Sequence, residues 1–459
     1  MFARAGAAGL SVVRTWVHTN DPKFPFQTGP GVYNEQAFQA LDFVIAEARR
    51  SGIKLLLSLV DNWKYYNGVD QYVDWSTTAE PRTQARPSHD WGDPDPKRGQ
   101  DAAQELYELR RHALFFNDTS CRNLYKNHVY AVVNRRNTFT GRLYKDDPTI
   151  MAWELLNEPR CETWSVPQCE AILQNWIEVM SAYVKEVDPN HLVTIGSEGF
   201  FGSSSSLAHM NPKSWAGDMG QDFVSNNAVK GIDFSTIHVW PDHWDRHDDE
   251  FQAKWILGLA DISARVLHKP MVVEEFGKKL PIDGRHLDNI LRLRDPVFQE
   301  TYSAIEKSLV NGLATGGSIF WRWDLPMFEG AGRGEYGVAP EDSTFDLVTQ
   351  HATFVNRWTT SQPPERHCKC ECWIPHSDVF TRTCKNLPKV CDAYWEVMAG
   401  ANELNYTAAL NALQRTEVQL GHRLIALRGL QVYGTKSDCC HPGLGAFPKG
   451  CTWYPSFSA

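Results

Sequence analysis

Three things are scarce in this 459-residue chain, and each scarcity removes a class of function. No apolar run approaches the ~20 residues that a membrane-spanning helix needs, so no membrane partner is expected. Positive charge is in deficit: 46 Lys and Arg against 55 Asp and Glu give a formal net charge of −9. No basic stripe is interleaved with aromatics, so no nucleic-acid partner is expected either. Cysteine is sparse through most of the chain, with only Cys121, Cys161 and Cys169 before residue 360. Metal-ligating patterns are also missing. The acids between residues 76 and 100, Asp93-Pro-Asp-Pro96 among them, lack calcium-loop spacing, and Asp245 to Glu250 reads as a solvated face. No metal and no cofactor is expected. The start, Met1-Phe-Ala-Arg-Ala-Gly-Ala-Ala-Gly-Leu10, lacks the apolar core and cleavage site of a signal peptide.

What is present points elsewhere. The length accommodates one large barrel domain, residues 1–360, and a smaller region, residues 361–459, and the 42% hydrophobic content fills a sizeable core. Seventeen Trp is a high count, and flat aromatic faces suit the C–H faces of a neutral sugar. Beyond Ser361-Gln-Pro-Pro-Glu365, a plausible linker, cysteine becomes dense: Cys368, Cys370, Cys372, Cys384, Cys391, Cys439, Cys440 and Cys451. Without paired C-x-x-C spacing, this reads as a disulfide framework of unassigned pairing rather than zinc, and hence as an oxidising compartment. Sequons at Asn117 and Asn405 agree with secretion. Val390 to Leu430 has helical spacing but no catalytic signature.

Buried strands are legible near residues 10, 53, 150, 191, 233, 270 and 317, with helix patterns over residues 1–9, Tyr33 to Ser51, Asn123 to Asn137, Trp176 to Glu186 and Val297 to Gly312. This alternation argues for a parallel α/β fold, and a closed barrel needs eight strands. In such a barrel the chemistry lies at the C-terminal strand ends. Met151-Ala-Trp-Glu-Leu-Leu-Asn-Glu-Pro-Arg160 is an apolar strand that delivers Asn157 and Glu158 there. Pro270-Met-Val-Val-Glu-Glu-Phe-Gly277 likewise ends in acids. Two carboxylates on separate strand ends are the minimum equipment for cutting a glycosidic bond. Regular alternation sets Glu275 opposite Glu274, a choice that a bulge would reverse, and makes Glu154 a deeper structural carboxylate in need of partners.

Other strand ends add candidates. Arg14 lies near the end of Leu10-Ser-Val-Val-Arg-Thr-Trp16, either in the site or in a structural ion pair. Ile53 to Val60 delivers Asp61-Asn-Trp63, and the Tyr65, Tyr66, Tyr72 and Trp75 that follow either form sugar platforms or pack on themselves. His238 and Trp240 share one face of their strand. Gly317 to Trp323 brings Trp321 or Trp323 to the mouth.

Taken in order, Ala8-Gly-Leu-Ser-Val-Val-Arg-Thr-Trp16, Gly31-Val-Tyr33, Leu41-Asp-Phe-Val44, Leu57-Ser-Leu-Val60, Asn137-Thr-Phe139, Asp147-Pro-Thr-Ile150, Trp153 to Cys161 and Glu275-Phe-Gly277 resemble the plant-type endo-β-1,4-mannanases of glycoside hydrolase family 5 over about residues 1–350. The resemblance implies a (β/α)8 TIM barrel with Glu158 as acid/base on strand four and Glu275 as nucleophile on strand seven. Arg14, Asn157, His238 and Trp321 match the surrounding site residues, and Trp63 and Trp240 complete the expected sugar contacts. Trp240 stands where the family has Tyr, which removes a hydroxyl from the nucleophile and leaves an indole N–H as partial substitute. The family's first strand precedes a segment like Met1 to Gly9. This chain is therefore expected to start after that strand, by truncation that would also remove a signal peptide, and to leave strands two and eight with unpaired edges.

The reaction implied is retaining hydrolysis within β-1,4-mannan by a secreted or cell-wall monomer. It requires carboxyl groups about 5–5.5 Å apart, a Glu158 pKa raised so that the acid starts protonated, and Arg14 beside Glu275. A β-1,4-glucanase of the same family and a non-catalytic mannan-binding protein are the alternatives.

Overall fold

The structure, a computed structural model, describes residues 1–361 apart from residues 20, 64, 86–101, 247, 249, 281–286 and 325–334. Its strands are β1 (Val12–Trp16), β2 (Gln27–Gly29), β3 (Val32–Tyr33), β4 (Lys54–Ser58), β5 (Ile150–Glu154), β6 (Leu192–Thr194), β7 (Ser235–Val239), β8 (Met271–Phe276) and β9 (Thr315–Ser318). A short antiparallel hairpin joins β2 to β3. The others are parallel, in the orders β1-β4-β5-β6 and β7-β8-β9, and correspond to the strands read from the sequence. Asp233 N donates to Val193 O at 2.8 Å and Thr194 Oγ1 to Phe234 O at 3.0 Å, stitching β6 to the entry of β7. Among the described residues β1 and β9 are the outer strands, with Trp16 stacked on Trp321 at 5.5 Å between them.

The helices are α1 (Phe2–Ala7), α2 (Glu35–Arg50), α3 (Val69–Trp75), α4 (Ala102–Asn117), α5 (Thr119–Val133), α6 (Cys169–Val187), α7 (Phe223–Ala228), α8 (Phe251–Ile262), α9 (Leu287–Val310) and α10 (Ser343–Ser361). α2 follows its sequence pattern: the Asn34 side chain caps it by accepting from Gln36 N, and Phe38, Leu41, Ile45 and Ala48 are buried. Gly52, at φ +69°, turns the chain into β4. α4 was not expected. It hides because its buried face carries Glu108, Arg111 and His112 beside Phe115 and Phe116, which breaks the apolar period. The expected helix over 123–137 lies earlier, as α5, and α9 starts at Leu287 and runs through Pro296.

The interior is layered. Val12, Leu56, Met151, Ala152, Leu192, Phe234, Val272 and Ile319, drawn from every parallel strand or its margin, pack into one apolar plug, as in a filled barrel. One pleat further along, Arg14, Ser58, Glu154, Thr236 and Glu274 are buried in its place, with His238 a pleat beyond, so charge begins where the plug ends. The cysteines from Cys368 to Cys451, the Asn405 sequon, the helical stretch from Val390 and the acids Asp93 and Asp95 lie outside the described residues.

Candidate active site

Glu158 lies beyond the end of β5, in a left-handed backbone conformation at φ 48°. A non-glycine residue held there is costly and marks a place where surrounding contacts dictate the backbone. Trp63 Nε1 donates to its Oε2 and His238 Nδ1 faces its Oε1, both at 2.5 Å. On the opposite wall, Arg14 Nη1 donates to Glu275 Oε1. The same guanidinium gives Nε and Nη2 to Glu154 at 2.5 and 2.7 Å and Nη2 to Asn157 Oδ1 at 2.7 Å. Asn157 in turn donates to Asp61 at 2.9 Å. His238 Nδ1 also lies 3.6 Å from Glu275 Oε2, so Arg14, Trp63, Asn157, Glu158, His238 and Glu275 form one connected group.

Glu274 was expected to point away from Glu275. Instead both acids face the interior. Alternation from the plug residue Val272 puts Glu274 inside, and the β7–β8 register then slips, pairing Ile237 with Val273 but His238 with Glu275. The slip re-phases the strand so that Glu275 also turns inward, which is how bulges beside active sites re-aim side chains. Glu274 Oε2 sits 3.2 Å from His238 Nε2, and its Oε1 is 3.8 Å from Arg14 Nε. Glu154 is the structural carboxylate expected, and its partner is Arg14.

Trp240 lies two residues beyond His238, just past the end of β7. Its ring is buried, stacked on His243 at 4.9 Å and edge-on to Tyr336 at 5.5 Å. Among the described residues no hydrogen bond joins it to Glu275, whose donor is Arg14. Trp321 is half-buried and backed by Trp16, but β9 ends at Ser318, so Trp321 sits on the loop after the strand. Tyr72 and Trp75 pack together on α3, with Tyr72 fully buried, which settles that part of the aromatic stretch as core.

Two residues escaped the sequence reading. Arg160 grips Glu198 through Nε and Nη2 at 2.8 and 2.5 Å while its guanidinium lies 4.7 Å over the Trp63 ring. Glu198 ends the run after β6 just as Glu158 ends the run after β5, so the same strand-end rule would have found it.

Electrostatics corrects a further expectation. Burial alone would raise the Glu158 carboxyl, yet the charge and hydrogen bond of His238, with Arg160 and Trp63, hold it below its ordinary range. Burial likewise opposes charge on His238, and the carboxylates of Glu275 and Glu158 and the hydrogen bonds to Glu158 and Glu274 reverse that and raise it. The acidic proton of this pair therefore rests on the imidazole when no substrate is bound. Beneath them, burial pushes Glu154 up to about 7 despite Arg14, with Glu274 adding in the same direction.

One carboxylate oxygen each of Glu158 and Glu275 and a ring nitrogen of His238 lie within 4.8 Å of one another. Three such ligands could hold a cation in principle, but His238 already engages carboxylates through both nitrogens. Two carboxyl groups and a proton-bearing imidazole at this range equip the site for displacement at a carbon between them.

A profile of the glycoside hydrolase family 5 β-mannosidase-like group matches residues 8–337. Mannan endo-1,4-beta-mannosidase 7 of Arabidopsis thaliana is 40% identical over 359 residues, 76% of this chain and 75% of that protein. Mannan endo-1,4-beta-mannosidase 4 of Solanum lycopersicum is 38% identical over 326 residues, 70% of this chain and 72% of the other. Among solved structures, the endo-beta-1,4-mannanase from Thermotoga petrophila matches with a TM-score of 0.61 at 26% identity, covering 79% of this chain and 73% of its own. That from Rhizomucor miehei matches with a TM-score of 0.60 at 27% identity, over 78% and 89%. With its fold, its ordered motifs and these likenesses in agreement, the chain belongs to the β-mannosidase-like group of glycoside hydrolase family 5 and has that family's TIM-barrel fold.

Proposed function

We propose that the chain is a retaining endo-β-1,4-mannosidase acting on mannan, galactomannan or glucomannan, with Glu275 as nucleophile and Glu158 as acid/base. The observation that carries this reading is the oxygen separation within 4.8 Å between the two acids. It lies on the short side, where a carboxylate attacks directly; inverting enzymes leave about 6.5–9.5 Å for a water. In the first step Glu275 bonds to the anomeric carbon as the glycosidic C–O bond breaks, and Glu158 passes the proton it shares with His238 to the leaving oxygen. In the second, Glu158 takes a proton from water, whose oxygen displaces the Glu275 ester. Trp321, stiffened by Trp16, offers a flat apolar face to a sugar ring, and Trp63 orients the acid. The Cys161–Cys169 disulfide supports an oxidising, extracellular or cell-wall setting. In this reading the hydrolase occupies residues 1–360, works as a monomer on a polysaccharide, and carries residues 361–459 as a separate appendage.

The test is reducing-end release from soluble β-mannan and from carboxymethyl-cellulose by the full chain, Glu158→Gln and Glu275→Gln. Mannan-selective cleavage that falls by about 10²–10⁴-fold or more in each variant is expected. Equal cleavage of both polymers would favour a glucanase, and retention on insoluble mannan without cleavage would favour a binding protein.

A further inference from the structure

The catalytic pair leaves one buried acid without a task. Glu274 is wholly inaccessible, touches neither of the two reacting carboxylates, and stands on His238 from the side opposite Glu158. From this geometry we infer that Glu274 is a positioning residue: it holds the Nε2 proton of His238 through the whole catalytic cycle, so that Nδ1 alone exchanges a proton with Glu158. The inference rests on the assignment of Glu158 as acid/base.

The charges around His238 differ in whether they persist through the catalytic cycle. Its ring faces Glu158 at 2.5 Å and Glu275 at 3.6 Å on Nδ1, and Glu274 at 3.2 Å on Nε2. Glu198 also acts on it at longer range, Arg160 acts on Glu158, and Arg14 and Glu154 press on Glu274. Glu275 loses its negative charge when it becomes a glycosyl ester, and Glu158 alternates between acid and base. Glu274 does neither. Burial would raise its pKa, but Arg14 and the His238 hydrogen bond lower it, so it remains a carboxylate.

With Nε2–H pinned, the proton balance closes on the other nitrogen. As the glycosidic C–O bond breaks, the leaving oxygen takes a proton from Glu158 Oε1, which takes one from Nδ1. Glu158 is left as a carboxylate beside neutral imidazole. In the second step water gives its proton to Glu158 and so back to Nδ1, while its oxygen frees Glu275. The Glu274 charge keeps imidazole basic enough to take that proton back in the second step, when Glu275 is still an ester, and to hold it between cycles.

Removing that charge makes the shared proton easier to lose. The alkaline limb of kcat/KM, where the pair loses its proton, therefore moves to lower pH. For Glu274→Gln on soluble mannan we expect the limb to move by about one pH unit, a tenfold loss of rate on the alkaline side. Glu274→Asp, which keeps the charge, should restore the limb towards the wild-type position. On a dinitrophenyl β-mannoside, whose leaving group departs without a proton, wild type and Glu274→Gln should share one pH dependence. A purely structural role would lower both substrates' rates alike and leave the limb in place, which would overturn the inference. Histidine ¹⁵N spectra of the unmodified protein provide a reading independent of whether the variants fold. They should show His238 as imidazolium at about pH 7, and a neutral ring there would contradict the account. An unmodified chain inert towards mannan would overturn both this inference and the reading beneath it. An active chain whose Glu274→Gln limb is unmoved would overturn this inference alone.

Discussion

Arg14 carries more of the site than any other single residue. Its buried guanidinium contacts Glu154, Asn157 and Glu275 and lies 3.8 Å from Glu274. Burial opposes its charge, but the carboxylates of Glu154, Glu274 and Glu275 outweigh that and raise its pKa well above the usual range. Removing one partner of such a network strands the others. Arg14→Ala is expected to lose about 3–5 kcal/mol of stability in urea unfolding, along with activity. Arg14→Lys should rescue little, because a single ammonium cannot fork to Glu154 while reaching Asn157 and Glu275. A loss below about 1 kcal/mol would mean that the cluster relaxes by taking up protons. Sequence alone made Arg14 a candidate and left its role open, because strand parity shows where a side chain points and not what meets it.

At the scale of elements, β8 shows both the reach and the limit of pattern reading. Its apolar run and terminal acids were legible, but the register slip that brings Glu274 and Glu275 to one face depends on how β7 pairs, which no local pattern encodes. The loop after it is equally constrained. A Cβ on Gly277 would lie 2.4 Å from Trp321 O and 3.0 Å from the Trp240 ring, so this glycine is what lets the loop bearing Trp321 close over the strand end. Gly277→Ala is expected to destabilise by about 1–3 kcal/mol and to weaken mannan binding, seen as a raised KM. Wild-type kinetics in that variant would show that Trp321 is not held through this contact. Another of the blocks read from the sequence is a brace. Asp42, from the Leu41 to Val44 block, accepts from Arg135, Tyr144 and Thr138 and so ties α2 to the segment before β5.

For the whole molecule, the apolar plug beneath a charged layer makes stability depend on pH from two directions. The folded chain binds the Glu154 proton more tightly than the unfolded one, because burial raises that carboxyl from 4.5 to about 7. The resulting stability is full below 4.5 and is lost as pH rises through about 7. Burial also works against the charges of Glu158, Asp42 and Asp188, but hydrogen bonds and opposite charges hold these groups low. Their contribution is present above their ordinary range and is lost as pH falls. Melting temperature should therefore peak in mildly acidic solution, and Glu154→Gln should flatten its fall above about pH 4.5. An unchanged alkaline slope in that variant would assign the fall to other groups.

The central claim is that Glu275, not its neighbour Glu274, forms the covalent intermediate across from Glu158. Both acids face the interior on one strand, so the most direct measurement is to trap the ester with a 2-deoxy-2-fluoro-β-mannosyl fluoride and sequence the labelled peptide by mass spectrometry. The account predicts a single label on Glu275. A label on Glu274 or Glu158, or turnover of mannan with inverted anomeric configuration, would contradict it.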